Sequence, residues 1–206
     1  MSEWGTTEKD GKVYVHVTSA LSVIRQKFLE TWRGNVGNAE ADRIRDDAVD
    51  FGKTFHTYCE IIDKRKGHEI DVEGIEDPVM KNLIEKFRDW FIENVEEVIM
   101  VEKTFYSDKY LYCGTPDVVY KLKGRTVPAI IDRKTSNSLS QINEFQLSMY
   151  QEMLAENGIK TKDRIILHAN KKTGKFKEVL LDPETHAQSF NAGFYAKELY
   201  LILNKK

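Results

Sequence analysis

The chain has 206 residues, 41% of them hydrophobic and 31% charged, with a formal net charge of −2. That length suits one well-packed core rather than two, and no apolar run approaches the roughly 20 residues that a bilayer-spanning helix needs. The near-neutral charge excludes a passive coat protein for nucleic acid, whose affinity comes from neutralising phosphates, but leaves room for an enzyme with a local basic groove.

The polar start, Met1 to Gly5, lacks a secretory apolar run, so a cytoplasmic location is expected. Val13 to Val17 reads as a short strand, after which Thr18 or Ser19 can cap a helix reaching about Trp32. Gly34, Gly37 and Asn38 interrupt it, and a second helix is expected from about Ala39 to Lys64, closed by Lys66-Gly67. Pro78 suits the first turn of a third helix carrying Leu83, Ile84, Phe87, Trp90 and Phe91 on one stripe. The period then changes. Val98 to Tyr106, Tyr110 to Leu122 and Val127 to Arg133 read as three strands, with turns at Asp108-Lys109 and Lys123-Gly124. A helix is expected from Asn143 to Asn157, then a hairpin of Arg164–Asn170 and Lys175–Leu181 around Thr173-Gly174, and Pro183 opens a last helix. The order predicts one α/β (α+β) domain over residues 1–206, with a small mixed β-sheet flanked by helices. Its parts are a helical segment at 18–97, a catalytic sheet and helix at 98–157, and a hairpin and helix at 163–204. Cys59 and Cys113 belong to no Cys-x-x-Cys pair, which argues against a disulfide framework, a zinc site or an iron–sulfur cluster.

The chemistry concentrates at Ile131-Asp132-Arg133-Lys134. Side chains alternate along a strand, so Asp132 and Lys134 share one face while Arg133 points to the other. A carboxylate there can hold a hard cation, and the ammonium can orient a water or offset charge on a phosphate. Asp117 follows Pro116, a residue suited to a strand start or edge, and would reach the mouth of the sheet beside Asp132. Glu102 is the lone acid of its apolar run. Three acids and a lysine would suit one or two Mg²⁺ or Mn²⁺ ions. From the residues alone a solvated strand end stays an alternative for Asp132, a turn for Asp117, and an exposed edge position for Glu102.

These elements resemble the PD-(D/E)XK nuclease superfamily, in its RecB-like and lambda-exonuclease-like branch. Gly114-Thr115-Pro116-Asp117 is similar to the branch's Gly-x-x-Asp element, and Asp132-Arg133-Lys134 to its Asp-x-Lys core. Gln146 to Tyr150 resembles the Gln-x-x-x-Tyr element, Gly52 to His56 the preceding Gly-x-x-x-His helix, and Val17 to Leu21 the opening segment. The matches run in order from about Val17 to Tyr150. The resemblance implies a restriction-endonuclease-like core and an Mg²⁺- or Mn²⁺-dependent deoxyribonuclease, most simply an exonuclease of DNA recombination, repair or replication. It implies metal ligation by His56, Glu102, Asp117, Asp132 and the Arg133 backbone carbonyl. Lys134 would act on the water and phosphate, with Gln146 and Tyr150 bracing it or standing near the scissile phosphate. Single- or double-stranded DNA is the implied partner, entered from its ends. A recombination or replication protein and a second copy of the chain are partners left open, and no membrane is implied.

The four cysteines of iron–sulfur members are missing, and no P-loop accompanies the nuclease elements. Lys171, Lys172, Lys175, Arg25, Arg43 and Arg45 are candidate phosphate contacts, although charged turns and helix faces are commonly just solvated. Two other readings remain: a catalytically inactive nucleic-acid-binding protein with a nuclease fold, and a hydrolase of small phosphate esters.

Overall fold

The computed structural model describes residues 5–24, 27–68 and 71–204, with backbone alone at 27 and 28. Strands β1 (Thr6–Lys9) and β2 (Lys12–His16) lead into the short helix α1 (Val17–Leu21), then α2 (Lys27–Val36), α3 (Asn38–Lys64) and α4 (Pro78–Asn94). Five strands follow: β3 (Val95–Val101), β4 (Phe105–Ser107), β5 (Tyr112–Gly114), β6 (Val118–Leu122) and β7 (Ala129–Lys134). Helix α5 (Gln141–Glu156), the hairpin β8 (Asp163–Asn170) and β9 (Lys175–Leu180), and helix α6 (His186–Leu203) complete the described chain. The α/β class is the expected one. The six helices, however, flank two small mixed sheets where one was expected, in the orders β3-β6-β7-β8-β9 and β1-β2-β5-β4.

The larger sheet forms around β7, whose residues are buried from Ala129 to Arg133. Its neighbours are antiparallel β6 on one side and parallel β8 on the other. A parallel pair needs a crossover, which α5 supplies. On one face, Ala129, Ile131, Val118, Tyr120, Ile165 and Leu167 pack against Phe55, Cys59 and Ile62 of α3 and Leu83, Ile84 and Phe87 of α4. On the other, Ile130, Val119 and Ile166 pack against Leu147, Tyr150 and Met153 of α5, with Val17 and Leu21 of α1 and Ala196 of α6. Each fully buried Leu, Ile or Phe contributes about 1.5–3 kcal/mol of transfer free energy, so these two layers hold the sheet.

Two strands expected to be continuous are each broken, and the breaks coincide. After Val101 the chain turns at Glu102, whose φ of 38° lies in the left-handed region, and β4 leaves for the smaller sheet. The run from Tyr110 to Leu122 breaks at Thr115-Pro116-Asp117, because proline has no N–H to continue a ladder. Strand β5 therefore pairs with β2 and β4, while β6 pairs with β3 and β7. The Glu102 N–H donates to the Asp117 carbonyl across the split at 2.8 Å. The division between the sheets thus puts both acids at one mouth.

Other boundaries differ locally. Strand β1 was not anticipated: Glu8 and Lys9 are charged and exposed and show no apolar alternation. Helix α1 starts at Val17 after His16, without a side-chain cap from Thr18 or Ser19. Gly34 lies inside α2, and the segment between α1 and α2 includes positions outside the described residues, Arg25 among them. Helix α4 begins as expected at Pro78, where the Asp77 carboxylate accepts from the N–H groups of Val79 (2.8 Å) and Met80 (3.2 Å). It ends at Asn94, and the larger sheet opens at Val95, ahead of the expected boundary between 97 and 98. Helix α5 starts at Gln141, where Ser140 and Asn143 form a reciprocal cap. Pro183 opens a 3-10 turn, Pro183–Thr185, before α6. Among the described residues no helix is long and apolar enough to cross a membrane.

Candidate active site

Strand β7 carries its last residues to the mouth where the sheets part, and the strand's two-residue period sorts them. Asp132 and Lys134 face α5, while Arg133 faces α3 and α4. The Lys134 ammonium lies 2.9 Å from Oδ1 and 2.8 Å from Oδ2 of Asp132, and it donates to Gln146 Oε1 at 3.2 Å. Gln146 Nε2 donates in turn to the Tyr150 hydroxyl at 3.2 Å, one turn further along α5. That fixes the amide's orientation, with its oxygen toward the lysine. Gly114 makes the arrangement possible, since a Cβ there would stand 2.5 Å from Tyr150 Cε1.

Burial governs the charges here. The Asp132 side chain is 2% exposed. Burial pushes its carboxyl from 3.8 up to about 6, against the pull of Lys134 and with the Asp117 charge adding to the rise. Burial works against the Lys134 ammonium, but the charges of Asp132 and Asp117 outweigh it and hold its pKa above the ordinary lysine value. Burial likewise raises Tyr150 to about 12, so this phenol keeps its proton.

Asp117 joins from the neighbouring strand end. Its Oδ2 accepts the Arg133 backbone N–H at 2.7 Å, which ties it to β7. His56 on α3 approaches from the opposite side, with Nε2 3.1 Å from the Arg133 carbonyl oxygen. A carbonyl can only accept, so that nitrogen carries the proton and Nδ1 keeps a free lone pair in the neutral ring. Nδ1 lies 3.8 Å from Glu102 Oε1 and 3.9 Å from Asp117 Oδ2. Gly52, one turn before His56, lets Thr135 come close: a Cβ there would be 3.3 Å from its hydroxyl. The expected residues His56, Glu102, Asp117, Asp132, Lys134, Gln146 and Tyr150 thus gather around one strand end. Glu60 points elsewhere and pairs with Lys64 at 2.7 Å.

Among the described residues, no three His, Cys, Asp or Glu side chains already stand in metal-ligand geometry. The carboxylates of Asp117 and Asp132 are turned toward the protein's own donors, and the Arg133 carbonyl toward His56. The donor set nevertheless fits a hard divalent cation, being one imidazole nitrogen and three carboxylates. Asp132 Oδ2 is buried and has no hydrogen bond of acceptable geometry, its 2.8 Å approach to the ammonium notwithstanding. The separations of 3.8 and 3.9 Å are too long for hydrogen bonds, and ligands sharing an ion with bonds of about 2.1 Å lie about 3–4 Å apart.

A buried ion pair beneath the site escaped the sequence reading. Arg133 Nη2 lies 2.5 Å from Asp63 Oδ2 and 2.5 Å from the Tyr120 hydroxyl, which itself donates to Asp63. Both charged side chains are fully enclosed, with the guanidinium 5.0 Å from the centre of the Phe87 ring. Asp63 follows His56 by seven positions on α3, two turns along the same face. The pair anchors the strand end whose N–H and carbonyl hold Asp117 and His56. The candidate phosphate contacts fare differently. Arg43 is paired with Glu40 and Asp47, and Arg45 with Asp42 and Asp46. The turn bearing Lys171, Lys172 and Lys175 is docked on α4, with Asn82 and Lys86 donating to the Gly174 carbonyl at 2.9 Å each.

Compared by sequence, the chain matches no family model and no curated protein. Compared by structure, it is similar to a protein from Eubacterium rectale described as a "Putative exonuclease". The likeness has a TM-score of 0.50 and 15% identity, and covers 75% of this chain and 66% of that one. The crystal structure of SSO0001 aligns with 97% of this chain and 79% of its own, at a TM-score of 0.46 and 14% identity. At 15% identity the likeness to the former is one of fold.

Proposed function

We propose that the chain is a metal-dependent DNA nuclease of the PD-(D/E)XK superfamily, an exonuclease that hydrolyses phosphodiester bonds at DNA ends. The observation that carries this reading is the convergence of Asp117, Asp132 and Lys134 at the mouth between two sheets, with His56 and Glu102 facing them. The description of the Eubacterium rectale protein agrees with it. His56 Nδ1 and the carboxylates of Glu102, Asp117 and Asp132 would hold one or two Mg²⁺ or Mn²⁺ ions. When bound, such ions lower the pKa of a water and offset charge on the phosphate and the leaving oxygen.

The chain's own groups do the rest. Lys134 stays protonated at neutral pH and sits on the same face as Asp132, so it can donate to the attacking water or to a phosphate oxygen. Gln146 accepts from the lysine and fixes its direction, which makes Gln146 a positioning residue. Tyr150 keeps its proton and can donate to a phosphate oxygen. The peptide unit of Arg133 holds Asp117 through its N–H and sets the His56 tautomer through its carbonyl, so the ligands are oriented before substrate arrives.

Calorimetric titration with Mn²⁺ tests the ligand assignment apart from turnover. The wild-type chain is expected to bind, and Asp132→Ala to bind at least about tenfold more weakly, the scale for losing a ligand or its support. Equal affinity in a folded Asp132→Ala variant overturns the assignment.

A further inference from the structure

Beside the proposed site lies a cavity of about 380 Å³ on the smaller sheet, bounded by the start of α1 and reaching Tyr150 of α5, within the range of about 300–1,000 Å³ typical of small-molecule sites. Its walls include Thr7, His16, Thr18, Thr104, Tyr106 and Thr115, and Gly114 lies between it and the buried Tyr150 ring. Among the described residues, no Asp, Glu, Lys or Arg lines it. The Cys113 thiol, also in the wall, is pushed up to about 11 by burial and stays neutral. The walls are held by contacts within and behind them. His16 Nε2 lies 2.7 Å from the Thr7 hydroxyl, and the Thr104 and Thr115 hydroxyls are 2.9 Å apart across the split. Tyr106 is fixed edge-on by Tyr14, with ring centres 5.0 Å apart, and the Lys9 ammonium lies 4.3 Å from its ring centre.

We propose that this cavity receives the base and sugar of one unpaired nucleotide, adjoining the phosphate acted on at Lys134. The inference rests on the nuclease reading and adds a nucleoside subsite to it. Three features of the cavity support it. A phosphate is a poor occupant, because the walls offer hydroxyls and an imidazole and no fixed cation. A purely apolar group would displace water from the Thr18 and Tyr106 hydroxyls, while those of Thr7, Thr104 and Thr115 already have partners in the wall. A nucleoside has a flat apolar face for the Tyr106 ring and polar edges for the hydroxyls. Threonine hydroxyls both donate and accept, so any of the four bases can be met, as suits a sequence-tolerant exonuclease. The Tyr150 ring lies behind Gly114, and its hydroxyl leads through Gln146 to Lys134. An occupant between Thr104 and Thr115, each two positions from a proposed ligand, therefore adjoins a phosphate at the lysine. A base reaches such a cavity only once it has left its stack.

The test uses the full chain in EDTA, with thymidine and deoxyadenosine as uncharged probes followed by NMR. Both nucleosides are expected to bind with a dissociation constant on the order of 1 mM, as for a small ligand held by a few contacts. Intermolecular NOEs should run from base protons to the Tyr106 ring. Thr18→Trp and Thr104→Trp place bulk at two exposed lining positions and should each weaken binding at least about tenfold. Inorganic phosphate should not displace the nucleoside. Absence of nucleoside binding, NOEs confined to other residues, undiminished binding in the folded variants, or displacement by phosphate each overturns the proposal. The measurement needs neither metal nor cleavage. DNA digestion without nucleoside binding defeats the subsite alone, and nucleoside binding by a chain that never cleaves DNA defeats the nuclease reading alone.

Discussion

Replacing Asp132 with asparagine should make the metal-free protein more stable at pH 8 and leave it unchanged at pH 4. The carboxyl is buried, one of its oxygens lacks a hydrogen bond, and its pKa is raised from 3.8 to about 6. The folded chain therefore holds this proton more tightly than the unfolded chain does. The stabilising contribution is complete below about pH 4 and disappears as pH rises through 6. At about 1.4 kcal/mol per pH unit, the ionised carboxylate costs the fold about 3 kcal/mol at pH 8. That cost already includes the attraction of Lys134, whose pull is part of the balance setting the pKa. Asparagine keeps the shape, and its amide oxygen can still accept from the ammonium. Urea unfolding in EDTA should therefore show Asp132→Asn within about 0.5 kcal/mol of wild type at pH 4, and up to about 3 kcal/mol more stable at pH 8. Mg²⁺ should narrow the gap at pH 8, because it stabilises only the chain that binds it. A variant less stable than wild type at pH 8, or a gap independent of pH, would refute the electrostatic reasoning.

Three further outcomes are expected. Asp63→Ala leaves the Arg133 guanidinium buried without its counter-charge and should destabilise the fold by about 3–5 kcal/mol, measured by denaturant unfolding; a loss below about 1 kcal/mol would show that water reaches the pair. Gly114→Ala puts a Cβ 2.5 Å from Tyr150 Cε1, so the ring must move and Gln146 with it. Its kcat on DNA should fall at least about tenfold, about 1.4 kcal/mol of barrier, and an unchanged kcat would remove Tyr150 and Gln146 from the account. Glu102→Gly relieves a left-handed residue at φ 38°. It should raise the thermal midpoint by the equivalent of about 1 kcal/mol while weakening Mn²⁺ affinity in calorimetry, and unchanged affinity would take Glu102 out of the ligand set.

Sequence periodicity foretold the features that rest on local geometry. The alternation along β7 put Asp132 and Lys134 on one face and Arg133 on the other, and the structure has that arrangement. The 3.6-residue stripe from Leu83 to Phe91 and the one-turn spacing of Gln146 and Tyr150 are found as expected. What was not legible depends on pairing between distant segments. From Val98 to Tyr106 local β-preference is continuous, and no glycine marks the left-handed turn at Glu102. Only the pairing of β4 with β5 reveals that the strand divides between two sheets. Pro116 was the available signal for the second break, since it cannot donate to a ladder. Nothing local to Asp63 marks it as buried, since its partner Arg133 lies 70 positions away. Arg43 and Arg45, read as phosphate contacts from charge alone, sit among acids of their own helix.

Time-resolved digestion of end-labelled single- and double-stranded DNA with and without Mg²⁺ or Mn²⁺ puts hydrolysis by the group at Lys134 to the test. The wild-type chain should release short products from an end only when metal is present, and a folded Lys134→Ala variant should lose that activity. Cleavage that persists in Lys134→Ala, or no cleavage by the wild-type chain with either ion, would contradict it.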